Sequence, residues 1–181
     1  LFYIGRTSRV KRDVTKTFVE MKVTEYKTYG KSRSVRLKGV DYSLPYVYLI
    51  TILCKDRQKF FENKELAKAI VKGLRDLTEK AKVKIFVFCV MPDHVHLILS
   101  PRDTSGVTEI VRLFKGNSTR TSWKIGFNGN LWQKSYHDHI LRKNENLKEA
   151  VNYVLNNPVR SGLVADYKDY KYCGVIDEID A

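Results

Sequence analysis

The residues of this chain whose types and spacing could do chemistry are His94-Val95-His96, His137-Asp138-His139, and Tyr153 with Asn157 four positions on. Side chains alternate along a strand, so His94 and His96 project to one side while Val95 and Leu97 project to the other. Two imidazoles placed this way can clamp a divalent metal. Four histidines in 181 residues give only about 0.1 H-x-H pairs by chance, yet the chain has two. Spacing alone does not say which pair holds a metal, if either does, since histidines hydrogen-bonded on a polar sheet face make the same pattern. On a helix of ~100° per residue, Tyr153 and Asn157 lie about 40° apart, at the edge of an apolar stripe of Leu147, Ala150, Val151, Val154 and Leu155. A phenol and an amide oxygen there could offer a nucleophile and a third metal ligand. Tyr153 by itself, one of eleven tyrosines, has the character of an ordinary amphipathic boundary residue.

The elements that must position these groups follow from periodicity. Tyr46 to Cys54 is apolar, β-branched and aromatic, and reads as a strand. Asn63 caps a helix to about Ala81, with Leu66, Ile70, Leu74 and Leu77 on one face. Lys84 to Val90 and His94 to Ser100 are strands separated by a break at Met91-Pro92-Asp93. A second helix runs from about Val107 to Ile125 and ends at Gly126, and Leu131 to Leu141 reads as strand-like. Asn144 caps a last helix that stops near Asn157 because Pro158 follows. This order predicts an α+β, ferredoxin-like sandwich, with helices packed on one face of a mostly antiparallel sheet.

Composition narrows the partner. With 33 Lys and Arg against 20 Asp and Glu, the net charge is +13, an excess that attracts polyanions, most often nucleic acid. Residues 1–40 alone hold eleven Lys and Arg against three Asp and Glu. They read as a basic extension in which Thr17 to Tyr26 and Ser34 to Val40 could pair as a hairpin, before a domain over 41–170 and a tail over 171–181. No apolar stretch approaches the ~18 residues of a membrane span, and LFYIGRTSRVKRD lacks the apolar core of a signal peptide. Cys54, Cys89 and Cys173 suit neither a disulfide framework nor a zinc clamp.

"MPDHVHLILSP", "LWQKSYHDHILR" and "NYVLNNPVRSGLV", in that order, resemble the REP-associated tyrosine transposases, relatives of the insertion-sequence-200-like single-strand transposases in the HUH endonuclease superfamily. The resemblance covers about residues 44–166. It implies that His94 and His96 are metal ligands, that Tyr153 is the nucleophile, and that Asn157 is the third ligand where insertion-sequence relatives carry glutamine. The ion implied is Mg²⁺ or Mn²⁺, and the substrate is single-stranded or hairpin DNA, cleaved and rejoined through a 5′-phosphotyrosine. The segment of His137 and His139 belongs to the family pattern, though not as ligands, and reads as structural or DNA-facing. Lys115, Arg120, Lys124, Lys134, Arg142 and Arg160 are candidate phosphate contacts, and Trp123 and Trp132 candidate stacking platforms. The resemblance further implies a cytoplasmic, nucleoid-associated prokaryotic protein, monomeric rather than dimeric. Two other readings stay open: a domesticated, non-cleaving hairpin binder, and a hydrolytic metal nuclease that makes no covalent intermediate.

Overall fold

The structure, a computed structural model, describes residues 46–80, 83–102, 106–141 and 147–177. Its elements are β1 (Val47–Leu53), α1 (Lys64–Lys80), β2 (Val83–Met91), β3 (His94–Pro101), α2 (Gly106–Lys124), β4 (His137–Leu141), α3 (Leu147–Leu155), α4 (Asn157–Arg160) and β5 (Cys173–Val175). The strands form one sheet in the order β4-β1-β3-β2-β5, every neighbouring pair antiparallel. This is the α+β sandwich that the element order predicts. The expected basic hairpin within residues 1–40, Asn144, Arg142 and the last residues of the tail lie outside the described residues.

Local chemistry accounts for the elements. The Asn63 side-chain oxygen accepts from the amides of Glu65 at 3.0 Å and Leu66 at 3.1 Å, satisfying donors that the first turn of α1 leaves unpaired. β2 and β3 are joined across Pro92-Asp93, with Met91 opposite His94. The chain after β1 holds that turn: the Cys54 amide donates to the Asp93 carbonyl and the Phe61 amide to the Pro92 carbonyl. Both ends of the β2–β3 connection are thereby tied to the segment that leaves β1.

The core divides across the sheet. On one side, Tyr48, Ile50, Ile52, Val95, Leu97 and Leu99 pack against the apolar faces of α1 and α2. On the other, Leu49, Val87, Cys89, Met91 and Ile98 pack against Ala150, Val151, Val154 and Leu155 of α3. Helices therefore cover both faces, and the expectation of a single covered face is corrected. Strand β2 is apolar on both sides, and its Val87, Cys89 and Met91 join Leu49 and Ile98 on the face away from α1 and α2, which therefore needs its own cover. The expected strand from Leu131 is also shorter, reduced to an isolated bridge at Trp132 and then β4. The carbonyls of Gln133, Lys134 and Ser135 accept from the Lys115 ammonium, which holds this stretch to α2 as a loop.

No helix among the described residues is long and apolar enough to cross a membrane. Leu97, at the centre of the sheet between Ile50 and Phe88, is 1% exposed. Leu97→Ala is expected to cost about 2–5 kcal/mol through lost burial and the cavity left behind, read as a lower urea midpoint at unchanged slope.

Candidate functional site

β3 carries His94 and His96 on the face that α3 covers, because Val95 and Leu97 are drawn into the opposite core. Their Nε2 atoms converge to 3.0 Å, and the rings meet edge to face. Each outer nitrogen is anchored: His94 Nδ1 lies 2.6 Å from Asp93 Oδ1, and His96 Nδ1 lies 2.9 Å from Thr51 Oγ1. Arg57 closes the chain, its Nε donating to Asp93 Oδ2 at 3.1 Å. Arg57 and the preceding Asp56 both hold φ of 54°, a left-handed conformation uncommon outside glycine.

Electrostatics keep the pair neutral. Burial drives His96 down to about 3, assisted by the charges of His94 and Arg160. Burial also lowers His94, against the opposing pull of Asp93. Burial would raise the Asp93 carboxyl, but its bond to His94 and the charges of His94 and Arg57 hold it below the usual range. Neutral imidazoles present lone pairs, which is the form that binds metals.

The donors fit a hard or borderline divalent ion. Two ligands at right angles on an octahedral ion with bonds of ~2.1 Å stand roughly 3 Å apart, matching the observed imidazole separation. A carboxylate and a hydroxyl behind the two rings are the outer partners that orient metal-binding histidines. Among the described residues no group of three or more His, Cys, Asp or Glu could hold a metal, so a third protein ligand would have to come from another residue type. Asn157 is buried, and its Nδ2 donates to the Tyr153 carbonyl at 2.9 Å, which leaves its oxygen as the end able to ligate.

Tyr153 and Asn157 do not share one continuous helix. α3 ends at Leu155, Asn156 sits between helices at φ −84° and ψ 3°, and Pro158 stands in the first turn of α4. The Tyr153 ring lies edge-on to His96 with centroids 5.9 Å apart. The Arg160 guanidinium, returned by α4, lies 4.8 Å from the same ring centre. A phenol, two neutral imidazoles and a cation thus meet on one face. Thr51 and Asp93 are partners that sequence reading missed. Thr51 is the single polar residue within the run YVYLITILC, and Asp93 directly precedes His94.

The remaining candidates scatter. His137 and His139 lie on β4, opposite Thr51 and Leu49, on the same sheet face as His94 and His96. Trp132 is only 8% exposed, packed on Phe61 and Phe114 with its indole N–H donating to Ser118 Oγ. It is a core aromatic, which corrects the expectation that it stacks bases, whereas Trp123 is 52% exposed. Arg120 and Lys124 are exposed on α2, across the sheet from the imidazoles, and Lys134 is exposed in the loop that follows.

Comparison with known proteins shows that residues 44–157 match the family model described as IS200-like transposase. Over 122 residues the chain is 33% identical to the ISDra2 transposase TnpA of Deinococcus radiodurans, spanning 63% of this chain and 84% of that one. Over 108 residues it is 28% identical to a REP-associated tyrosine transposase of Escherichia coli, spanning 59% and 61% of the two chains. A solved structure of a REP-associated tyrosine transposase bound to a REP hairpin aligns with a TM-score of 0.59 at 22% identity, over 83% of this chain and 82% of that one. That last likeness shows a shared fold.

Lys115 is held differently from a phosphate contact. Its ammonium donates to three carbonyls of the loop at 133–135 and lies 5.7 Å from the Tyr136 ring, and burial pushes it down to about 8. Lys115→Met leaves those carbonyls without their donor and is expected to lower stability by about 1–3 kcal/mol in urea unfolding at pH 7. The folded chain gives up this proton before the unfolded chain does. Wild type should therefore gain further on the variant as pH rises from about 8 towards 10.5, where the unfolded state binds more protons.

Proposed function

We propose, from the premise that this chain belongs to the IS200-like transposase family, that it cuts and rejoins single-stranded DNA with Tyr153 as nucleophile. The observation that carries this reading is the placement of the Tyr153 ring against both His96 and the Arg160 guanidinium. A phenol needed only for packing requires neither neighbour.

In the proposed reaction the Tyr153 phenolic oxygen attacks the scissile phosphorus in line. The bond from oxygen to phosphorus forms as the bond from phosphorus to the 3′ oxygen breaks, giving a 5′-phosphotyrosine and a 3′-hydroxyl. The phosphodiester energy is conserved in the adduct, so attack by a 3′-hydroxyl reverses the step and rejoins DNA. His94, His96 and Asn157 would hold a Mg²⁺ or Mn²⁺ ion, which when bound supplies Lewis-acid polarisation of the phosphate and stabilises charge gathering on its oxygens. Asp93 and Thr51 hold the two rings with their Nε2 atoms convergent. Arg160 holds positive charge beside the nucleophile, where the phosphate must sit.

The substrate is DNA in which a palindrome folds into a hairpin with a single-stranded flank. The solved structure of the same fold is bound to a REP hairpin, and a duplex would hide the scissile strand from Tyr153. The net charge of +13 supplies affinity that falls with salt. Each chain has one Tyr153 and holds one covalent linkage at a time, so a monomer would join two ends by two successive cleavages.

The test uses end-labelled single-stranded hairpins, incubated with Mg²⁺ or Mn²⁺ and run on a denaturing protein gel. A labelled band just above the protein's own mass, lost in Tyr153→Phe and His94→Ala, is the expected result. Cleaved DNA without an adduct would instead indicate a hydrolytic nuclease, and retention without cleavage a hairpin binder. Thr51→Val, which keeps shape but removes the partner of His96 Nδ1, is expected to weaken Mn²⁺ binding roughly 10- to 100-fold in calorimetric titration.

A further inference from the structure

All four histidines of the chain project from one face of the sheet, although they come from two strands that are not neighbours. Register explains it. Thr51 of β1 lies opposite His96 of β3 on one side and His137 of β4 on the other, and Leu49 likewise lies opposite His139. Residues directly paired across strands project to the same face. His96, Thr51 and His137 therefore form one row, with strands ~4.8 Å apart, and the Thr51 hydroxyl that bonds His96 stands between the two imidazoles.

This face is covered unevenly. α3 packs on β2 and β3, and Tyr167, Tyr170 and Cys173 close the β2–β5 side. Val87, Cys89 and Met91 are fully buried beneath them. Towards β4 the cover thins among the described residues: Thr51 and His139 are half-buried and His137 is exposed. Among the described residues, a DNA strand whose scissile phosphate sits at Tyr153 and His96 would meet packed protein on the β5 side and, at the His137 end of β4, a less covered, imidazole-lined floor.

We propose that β4 is the floor of the single-strand path, with His137 and His139 binding the phosphodiester backbone of the unpaired nucleotides next to the scissile phosphate. The inference rests on the strand-cleaving reading above and gives it a direction across the sheet. An imidazole donates an N–H in either protonation state, so it suits a backbone oxygen without specifying a base. The two residues are binding groups for flanking DNA, set apart from the reacting atoms by Thr51 and Leu49 of β1.

The test measures fluorescence anisotropy on a Tyr153→Phe parent, so that no DNA is cut. The probes are one hairpin without a flank and the same hairpin extended on either side by several unpaired nucleotides. His137→Ala is expected to weaken binding of one flanked probe roughly tenfold, the order of a hydrogen bond to a charged group, and to leave the unflanked hairpin unchanged. His137→Gln, which retains an N–H donor, should recover most of the loss, and His139→Gln controls for the half-buried neighbour, with thermal melts confirming folding. Equal loss on flanked and unflanked probes, or no loss on any, would overturn the proposal while the parent still prefers flanked DNA. A parent that binds no single-stranded DNA would overturn the substrate reading itself, and this floor with it. A flank-specific His137 effect in a protein that forms no adduct would support the floor and defeat the nucleophile assignment.

Discussion

Antiparallel pairing of β3 between β1 and β2 is the constraint on which the rest of the site depends. It sets His96 opposite Thr51 and His94 opposite Leu53 and Met91, and it turns both imidazoles away from the larger core. A slip of one residue would invert the strand, placing Val95 and Leu97 among the polar groups and the histidines among Ile50 and Leu74. The apolar demand of both faces makes that slip costly. Val95, Leu97 and Leu99 are buried under α1 and α2, while Ile98 is buried under α3. The same burial that stabilises the sheet therefore aims the chemistry.

Burying polar groups is tolerable only when each is paired, and the site meets that requirement by a chain of hydrogen bonds. Arg57, Asp93, His94, His96 and Thr51 follow one another in contact, and among the described residues no buried side-chain nitrogen or oxygen lacks a partner. Because a hydroxyl can donate or accept, Thr51 can support His96 in either tautomer. The network therefore fixes the ring positions while admitting either tautomer of His96. That combination suits two imidazoles whose Nε2 atoms would have to turn from each other to a shared ion.

The break between α3 and α4 is the second device. Pro158 has no amide hydrogen to continue a helix, and the chain bends at Asn156 before starting α4. Arg160, seven positions on and so about two helical turns away on the same side, lies over the ring of Tyr153, while the Asn157 side chain donates to the Tyr153 carbonyl. Nucleophile and cation thus stand beside His96, with the Asn157 amide tied to the Tyr153 backbone. The exposed cations of α2 lie on the opposite side of the sheet, so the basic character of the chain is spread over more than the face where the reaction is proposed.

Much of this was legible in the chain itself. The alternation around Val95 and Leu97 established that His94 and His96 share a face, and the apolar stripe of Leu66, Ile70, Leu74 and Leu77 marked α1, because strand and helix periods are local properties of the backbone. Asn63 as a cap and Pro158 as a helix stop were readable for the same reason. Four matters belonged to tertiary structure. Which face α3 covers depended on Leu49, Val87, Cys89, Met91 and Ile98 being brought together from three strands of a completed sheet. Whether Trp132 meets solvent depended on Phe61 and Phe114 arriving from other elements, and whether Lys115 is available depended on three carbonyls some twenty positions away. The gathering of Thr51, His96, His137 and Tyr153 was likewise invisible, since strand register joins residues 45 and 86 positions apart and no local period records which strand lies beside which.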